Sequence, residues 1–267
     1  MGPLRLYGRY VATSIRAQLA YPGSFLMMTF GQFAVTVIEF IGVWALFQRF
    51  GHIRGWTIGE VALFYGLVNM TFSVSDSVTR GFDVFGSTFV KTGGFDRLLL
   101  RPRSTTLQLL GYELRLTRIG RLVQGAAVFA IGAHLAHLQW SAPTVALLAW
   151  AVVGGAALFS GLFILQATLA FWTVESLEAV NILTYGGVAT AEYPLNVYAG
   201  WLRNFLIYVV PIGCVTYFPM LAALHRHDSL GAPDWFLPLS PAAGLAFLAV
   251  SLWTWGLGVR RYTSTGS

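Results

Sequence analysis

The chain has 267 residues, of which 56% are hydrophobic and only 10% are charged. Ordinary soluble domains carry about 25% charged residues, so this composition excludes a water-soluble globular protein. The formal charge of +6 is spread beside apolar runs and is not concentrated in one patch, which argues against a nucleic-acid-binding protein.

The first predicted element is a helix over residues 4–19. Its apolar side chains recur at helical spacing, while Arg5, Arg9 and Arg16 share another face. This pattern favours an amphipathic helix that lies on the membrane surface with its arginines among the lipid headgroups. A cytoplasmic extension of the first membrane span is the alternative interpretation, and the pattern fits both.

Apolar runs long enough to cross about 30 Å of hydrocarbon follow this helix. The pattern breaks twice: residues 79–121 hold eight basic residues, and residues 173–203 combine three glutamates with Gly186, Gly187 and Pro194. We interpret the second break as a cytoplasm-side elbow that is partly re-entrant. The sequence thus predicts one all-α, polytopic membrane domain over residues 1–267, with spans at about 24–47, 57–78, 122–137, 144–171, 205–224 and 241–259.

The orientation of these spans follows from the positions of lysine and arginine. With the N-terminus inside, the inner segments hold 14 of the 17 basic residues, and the outer segments hold only Arg49, Arg54 and Arg226. Positive charge accumulates on the cytoplasmic side of membrane proteins. We therefore expect a multi-pass protein of the cell (inner) membrane with both termini in the cytoplasm.

Polar residues inside the spans are candidates for a translocation path, because a charge at the bilayer centre costs at least about 2.5 to 3.5 kcal/mol. Glu39 either faces such a path, where it would favour cationic cargo, or accepts hydrogen bonds within the helix bundle. Asn69, near the middle of span two, is the second candidate. Asp76 is predicted to pair with Arg80, one turn further along, and Glu60 is placed at the membrane interface.

The chain carries none of the common signatures of an enzyme. It lacks a GxxxxGK[ST] phosphate loop, a GxSxG elbow and an HExxH metal motif. Its five histidines fall in three separate connectors, and its single cysteine excludes a cysteine metal cluster. We expect no catalytic residue, no metal site and no cofactor in this chain, which leaves a permease, a channel or an assembly subunit.

The basic loop after span two carries a recognisable motif. Gly81-Phe82-Asp83 precedes Phe85 and Phe89, and residues 91–102 read KTGGFDRLLLRP. This loop resembles the one after the second span in small six-span permeases of ABC exporters, the type-2 group related to ABCG and O-antigen exporters. Permeases of about this length commonly carry a G-x-D-x-x-L-x-R-P-like run. The matching positions here are Gly94, Asp96, Leu99, Arg101 and Pro102.

The resemblance continues in span order through residues 171–175, 193–195 and 211–219. It implies that the loop forms a cytoplasmic coupling helix that docks on a separate ABC ATPase, which binds ATP and Mg²⁺. Aromatic side chains can anchor such an interface, and opposite charges can orient it. The alternative is that Phe85 and Phe89 enter the membrane interface and that the arginines bind anionic lipid. The candidate coupling residues are Phe82, Asp83, Phe85, Phe89, Asp96 and Arg97.

These features predict the permease subunit of an ATP-driven ABC exporter. Its expected partners are soluble ABC ATPase subunits, a second permease copy or a related permease, and membrane lipids, but no nucleic acid. The apolar, aromatic-rich composition suits amphiphilic or hydrophobic cargo, and Glu39 would add a preference for cations if it faces the path. The alternatives are an ion-coupled secondary transporter, which usually shows internal repeats and more spans, and a membrane assembly subunit that transports nothing.

Overall fold

The structure is a computed structural model that describes residues 3–173 and 177–263, with the side chains of residues 5–173 and 182–263. Helices dominate these residues and no β-strand occurs among them, since the bridge between Ile53 and Trp56 is isolated. The prediction of an all-α fold is therefore confirmed for the described part of the chain.

The α-helices of the described residues follow one another with short connections. Two π-helical turns, Phe85–Val90 and Phe205–Val209, interrupt the series. The α-helices are α1 (Pro3–Leu19), α2 (Pro22–Phe50), α3 (Ile58–Val78), α4 (Arg80–Asp83), α5 (Gly94–Leu99), α6 (Thr105–Leu110), α7 (Ile119–Leu135), α8 (Ala142–Leu169), α9 (Leu177–Ala191), α10 (Gly200–Asn204), α11 (Ile212–Val215), α12 (Tyr217–Ala223), α13 (Phe236–Leu239) and α14 (Ala242–Arg261).

Four stretches of the described chain are long and apolar enough to cross a membrane unaided: α2, α3, α8 and the combined α13–α14 stretch Phe236–Arg261. They match the predicted spans one, two, four and six. Helix α7 matches predicted span three but has only 17 residues. A bent pair, Gly200–Val209 with Ile212–Ala223, would raise the number of candidate spans to five if it were one crossing.

Helix α3 forms the centre of the bundle and packs against α7 with almost no space between the two backbones. A Cβ atom added at Gly66 would lie 2.5 Å from the Cβ of Phe129 and 2.6 Å from the carbonyl oxygen of Gly125. Small residues permit such close approach between membrane helices. Helices α8 and α14 approach each other in the same way, because a Cβ atom on Gly244 would overlap the carbonyl oxygen of Gly154.

Helix α1 binds the connector that precedes α7 through its polar side chains. The Leu114 amide donates to Ser14 Oγ at 2.9 Å, and the Leu116 amide donates to Gln18 Oε1 at 3.0 Å. Its arginines remain exposed on another face. The predicted helix over residues 4–19 is therefore present, and it is tied to the bundle on one side.

The segment from Asn196 to Arg226 begins and ends at the same end of α3. The Trp56 indole donates to Asn196 Oδ1 at 2.9 Å, and the Arg226 guanidinium lies 2.8 Å from the Glu60 carboxylate. Between these contacts the chain bends by 71°. A segment that returns to its starting side is re-entrant, so the prediction that residues 205–224 form the fifth span is wrong.

The preceding segment runs from one end of the bundle to the other. Phe171, just after α8, contacts Phe85 in the loop that follows the Val78 end of α3, with ring centroids 5.1 Å apart. Asn196 contacts the opposite end of α3. The interpretation of residues 173–203 as an elbow on one side is therefore also wrong. Of its glutamates, Glu175 and the side chain of Glu178 lie outside the described residues.

Candidate functional site

A polar centre formed by Asn69, Arg121 and Glu192 lies inside the bundle. Arg121 Nε donates to Asn69 Oδ1 at 2.7 Å, and Asn69 Nδ2 donates to Glu192 Oε1 at 3.0 Å. Asn69 is completely buried and lies about 16 Å along α3 from its first residue. This places the polar centre near the middle of a hydrocarbon core about 30 Å thick.

Asn69 joins the other two groups of the polar centre. The second amide hydrogen of Asn69 is donated to the Tyr65 carbonyl oxygen at 2.8 Å, and the Arg121 guanidinium lies 4.7 Å from the Phe72 ring centroid. Arg121 and Glu192 are partly buried, and charged groups are tolerated in a largely apolar interior when they are hydrogen-bonded. The polar centre thereby joins α3, α7 and the end of α9.

The two predicted path residues occupy different environments. Asn69 is enclosed by the polar centre, whereas Glu39 is exposed on α2, close enough to Arg121 for the two charges to interact. Only Thr36, Val43 and Phe47 of α2 are buried. The role of Glu39 and Asn69 in a translocation path stays a prediction.

The ion pairs at the Val78 end of α3 differ from the predicted ones. Asp76 pairs with Arg118, with 2.6 Å between the closest nitrogen and oxygen, and Arg80 pairs with Asp83. The predicted pair of Asp76 with Arg80 is therefore wrong. Arg118 reaches Asp76 from the turn before α7, and it also donates to Gln32 Oε1 at 2.6 Å.

The phenylalanines of the basic loop belong to an internal aromatic cluster, which we call the aromatic anchor. Phe82 and Phe85 are completely buried. Phe82 contacts Trp255 at 5.2 Å between ring centroids, and Phe85 contacts Trp255 at 5.0 Å. Rings at these distances stabilise one another in edge-to-face geometry. The aromatic anchor comprises Phe82, Phe85, Phe89, Phe95, Phe171, Trp255 and Tyr262.

This burial corrects the prediction that Phe82, Phe85 and Phe89 contact a partner directly. Even Phe89 is only 8% exposed. Asp83 and Asp96 are half-buried. The loop instead presents an exposed rim, in which Leu100 is 85% exposed. The exposed rim consists of Lys91, Arg97, Leu99, Leu100, Arg101, Pro102 and Arg103.

The residues predicted for a site do not include Arg121 and Glu192. Arg121 is one of the eight basic residues counted in the segment 79–121. Glu192 lies in the segment interpreted as a partly re-entrant elbow on the cytoplasmic side. The signal that identifies both is an ionisable residue beside or within an apolar run, which is costly unless it has a partner. Among the described residues, no group of three histidine, cysteine or carboxylate side chains could hold a metal ion.

Nearly all of the residues discussed above lie in a region that matches a known protein family. A family model described as ABC-2 family transporter protein matches residues 33–266, which include the basic loop, the polar centre and the re-entrant segment. The chain belongs to the ABC-2 transporter family. The resemblance noted in the loop motif is therefore confirmed. No curated protein and no solved structure matches the chain.

Membership makes this ABC-2 chain a transport permease and a multi-pass membrane protein. Permeases of the family generally work with ABC ATPases. The geometry of this ABC-2 permease offers two features relevant to such work: a polar centre that joins three helical elements, and a loop whose exposed rim is fixed to the bundle by the aromatic anchor.

Proposed function

We propose that this permease is the transmembrane subunit of an ATP-driven exporter of amphiphilic or hydrophobic cargo. ATP and Mg²⁺ would bind to a separate ABC ATPase, because this chain carries no phosphate-binding loop. Two copies, or this chain and a related permease, would enclose the path. The observation that carries the proposal is the basic loop, whose exposed rim is joined to two spans by buried aromatic rings.

The proposed topology has six crossings, formed by α2, α3, α7, α8, α9 and α14, with the re-entrant segment between the last two. Helix α7 has 17 residues and spans about 25 Å, most of the hydrocarbon core. The re-entrant segment moves Arg203 to the outer side, so that thirteen basic residues lie inside and Arg49, Arg54, Arg203 and Arg226 lie outside. This bias still supports a cytoplasmic location of both termini.

The aromatic anchor supports a mechanical role for the loop. Phe85 contacts Phe171 at the end of α8 and Trp255 in α14, with ring centroids 5.1 and 5.0 Å apart. Close-packed interiors transmit displacement because their side chains leave few voids. An ATPase that moves the exposed rim would therefore also displace the cytoplasmic ends of α8 and α14.

The experiment that tests this proposal compares two charge reversals in the purified complex of permease and ABC ATPase. Arg97→Glu with Arg101→Glu alters the exposed rim, while Arg5→Glu with Arg9→Glu makes the same change on α1, whose arginines are also exposed. We expect only the rim variant to lose the ATPase during purification. Equal retention by both variants would show that the rim is not the docking surface.

The same preparation separates the proposal from its alternatives. An ATP-driven permease stimulates hydrolysis by its ATPase when hydrophobic cargo is added. A secondary transporter would instead move cargo in ATPase-free vesicles under an ion gradient. An assembly subunit would do neither.

A further inference from the structure

An apolar groove opens on the side of the bundle between α8, α9, the π-helical turn Phe205–Val209 and α14. Its volume is about 540 Å³, within the range of about 300 to 1,000 Å³ that is typical of ligand sites. It reaches from Leu162 in α8 to Trp172, three residues after that helix, and ends beside Arg261. The walls between these ends include Leu165, Leu169, Leu183, Phe205, Val209 and Leu257.

The length of the groove is comparable to one leaflet of a bilayer. Along α8 the lining runs from Leu162 to Leu169, seven helical residues or about 10 Å, and the turn that follows extends it to Trp172. A hydrocarbon core of about 30 Å gives each leaflet about 15 Å. The groove therefore covers most of the depth of one acyl chain layer, and its lining is almost entirely apolar.

A cationic and an aromatic side chain mark one end of the groove. Trp172 is 53% exposed, and aromatic rings of this kind settle at the headgroup level of a membrane. Arg261 lines the groove and forms no ion pair with the residues that the structure describes. A guanidinium group binds phosphate through two parallel hydrogen bonds.

We propose that this groove binds an anionic glycerophospholipid, with one acyl chain along the apolar walls and the phosphate headgroup at Arg261. A lipid fits better than a second copy of the chain, because apolar walls that end at an arginine match the apolar tail and charged headgroup of a lipid. The proposed orientation puts Arg261 on the cytoplasmic side, so the groove would open to the inner leaflet. The site itself does not depend on that orientation or on ATP-driven export.

Photo-crosslinking in vesicles tests the site. The full-length permease is reconstituted into phosphatidylcholine vesicles that contain a small fraction of phosphatidylglycerol with a diazirine on its acyl chain, present in both leaflets. A parallel sample carries the diazirine on phosphatidylcholine. We expect phosphatidylglycerol to label the groove peptides 162–172 and 205–210 about fivefold more than phosphatidylcholine does, the preference expected for one arginine near a lipid phosphate.

Matched variants separate the site from general lipid contact. Arg261→Gln should remove the fivefold preference, whereas Arg260→Gln, which does not line the groove, should keep it. Leu165→Trp should reduce labelling by both lipids, whereas Val153→Trp, at a residue that is 51% exposed on the same helix, should not. Monodisperse elution of each variant confirms that it is folded.

Three outcomes would overturn the proposal. The first is equal labelling of the groove by the two lipids in the wild type, which shows ordinary boundary lipid. A second is an unchanged preference in Arg261→Gln. The third is a groove without lipid label in which a photoreactive residue at Leu183 crosslinks to another copy of the permease, because a second chain would then occupy the space.

Discussion

The Trp56 indole donates a hydrogen bond to Asn196 Oδ1 at 2.9 Å, although 140 residues separate the two along the chain. Arg54 adds a second link, from its guanidinium to the Asn196 carbonyl oxygen at 2.7 Å. These contacts place the residues after α9 beside the Ile58 end of α3. They therefore decide which apolar segment crosses the bundle and which returns to its starting side.

The first prediction concerns the topology that follows from this link. In a Cys214→Ala background, single cysteines at Ala199 and Ser229 should both react with a membrane-impermeant maleimide added outside intact cells. A cysteine at Thr92, in the basic loop, should react only after permeabilisation. All three wild-type residues are exposed. Labelling at Ala199 only after permeabilisation would place residues 173–203 on the cytoplasmic side, as the sequence predicted, and would contradict the re-entrant segment.

The second prediction concerns the polar centre. Glu192→Gln removes the carboxylate that accepts from Asn69, and a hydrogen bond to a charged group is worth about 1.5 to 3 kcal/mol. We expect a moderate fall in the thermal stability of the purified protein, and partial recovery in the double variant with Arg121→Gln, because the charges of Glu192 and Arg121 interact. Asp234→Asn, in an exposed pair with His227, serves as the control, with little change. Unchanged stability of the Glu192→Gln single variant would show that the carboxylate does not stabilise the polar centre.

A third prediction separates the aromatic anchor from the exposed rim. Phe85→Ala removes a completely buried ring and should destabilise the permease by about 3 to 5 kcal/mol. Leu100→Ala, at a residue that is 85% exposed, should leave stability unchanged and weaken ATPase binding. Thermal unfolding and co-purification measure the two effects. If Phe85→Ala is instead as stable as the wild type and releases the ATPase, then Phe85 contacts the ATPase directly.

Glu39 supplies the fourth prediction. Because its side chain is exposed on α2, Glu39→Gln should leave expression and stability close to wild type. If the carboxylate faces a path, the variant should lose stimulation of ATP hydrolysis by hydrophobic cations more than by neutral amphiphiles. Normal specific activity combined with poor membrane insertion would instead show a structural role.

The contact between α3 and α7 leads to the fifth prediction. Gly66→Ala places a Cβ atom 2.5 Å from the Cβ of Phe129, and overpacking of this kind costs about 1 to 3 kcal/mol. Gly42→Ala, where the added Cβ atom meets nothing within 4 Å beyond the adjoining backbone of α2, should stabilise slightly through its higher helix propensity. The two unfolding temperatures should move in opposite directions. Equal shifts would show that the two helices are not in backbone contact.

The sequence by itself determined the class of protein and the positions of most spans. Low charge and long apolar runs require a membrane environment, and the spans predicted at 57–78 and 144–171 lie within two residues of α3 and α8 at each end. The loop motif was sufficient to indicate the family. These features are local, because hydropathy and charge depend on residue type and not on the partners that folding supplies.

The tertiary structure decided which apolar segment crosses and which polar groups pair. Residues 205–224 have the composition of a span, but contacts of Asn196 and Arg226 bring both ends of the segment to one end of α3. Likewise, Phe85 is buried because Phe171 and Trp255 pack against it. Composition cannot show such outcomes, because an apolar residue type is compatible with contact to lipid, to a partner or to another ring of the same chain.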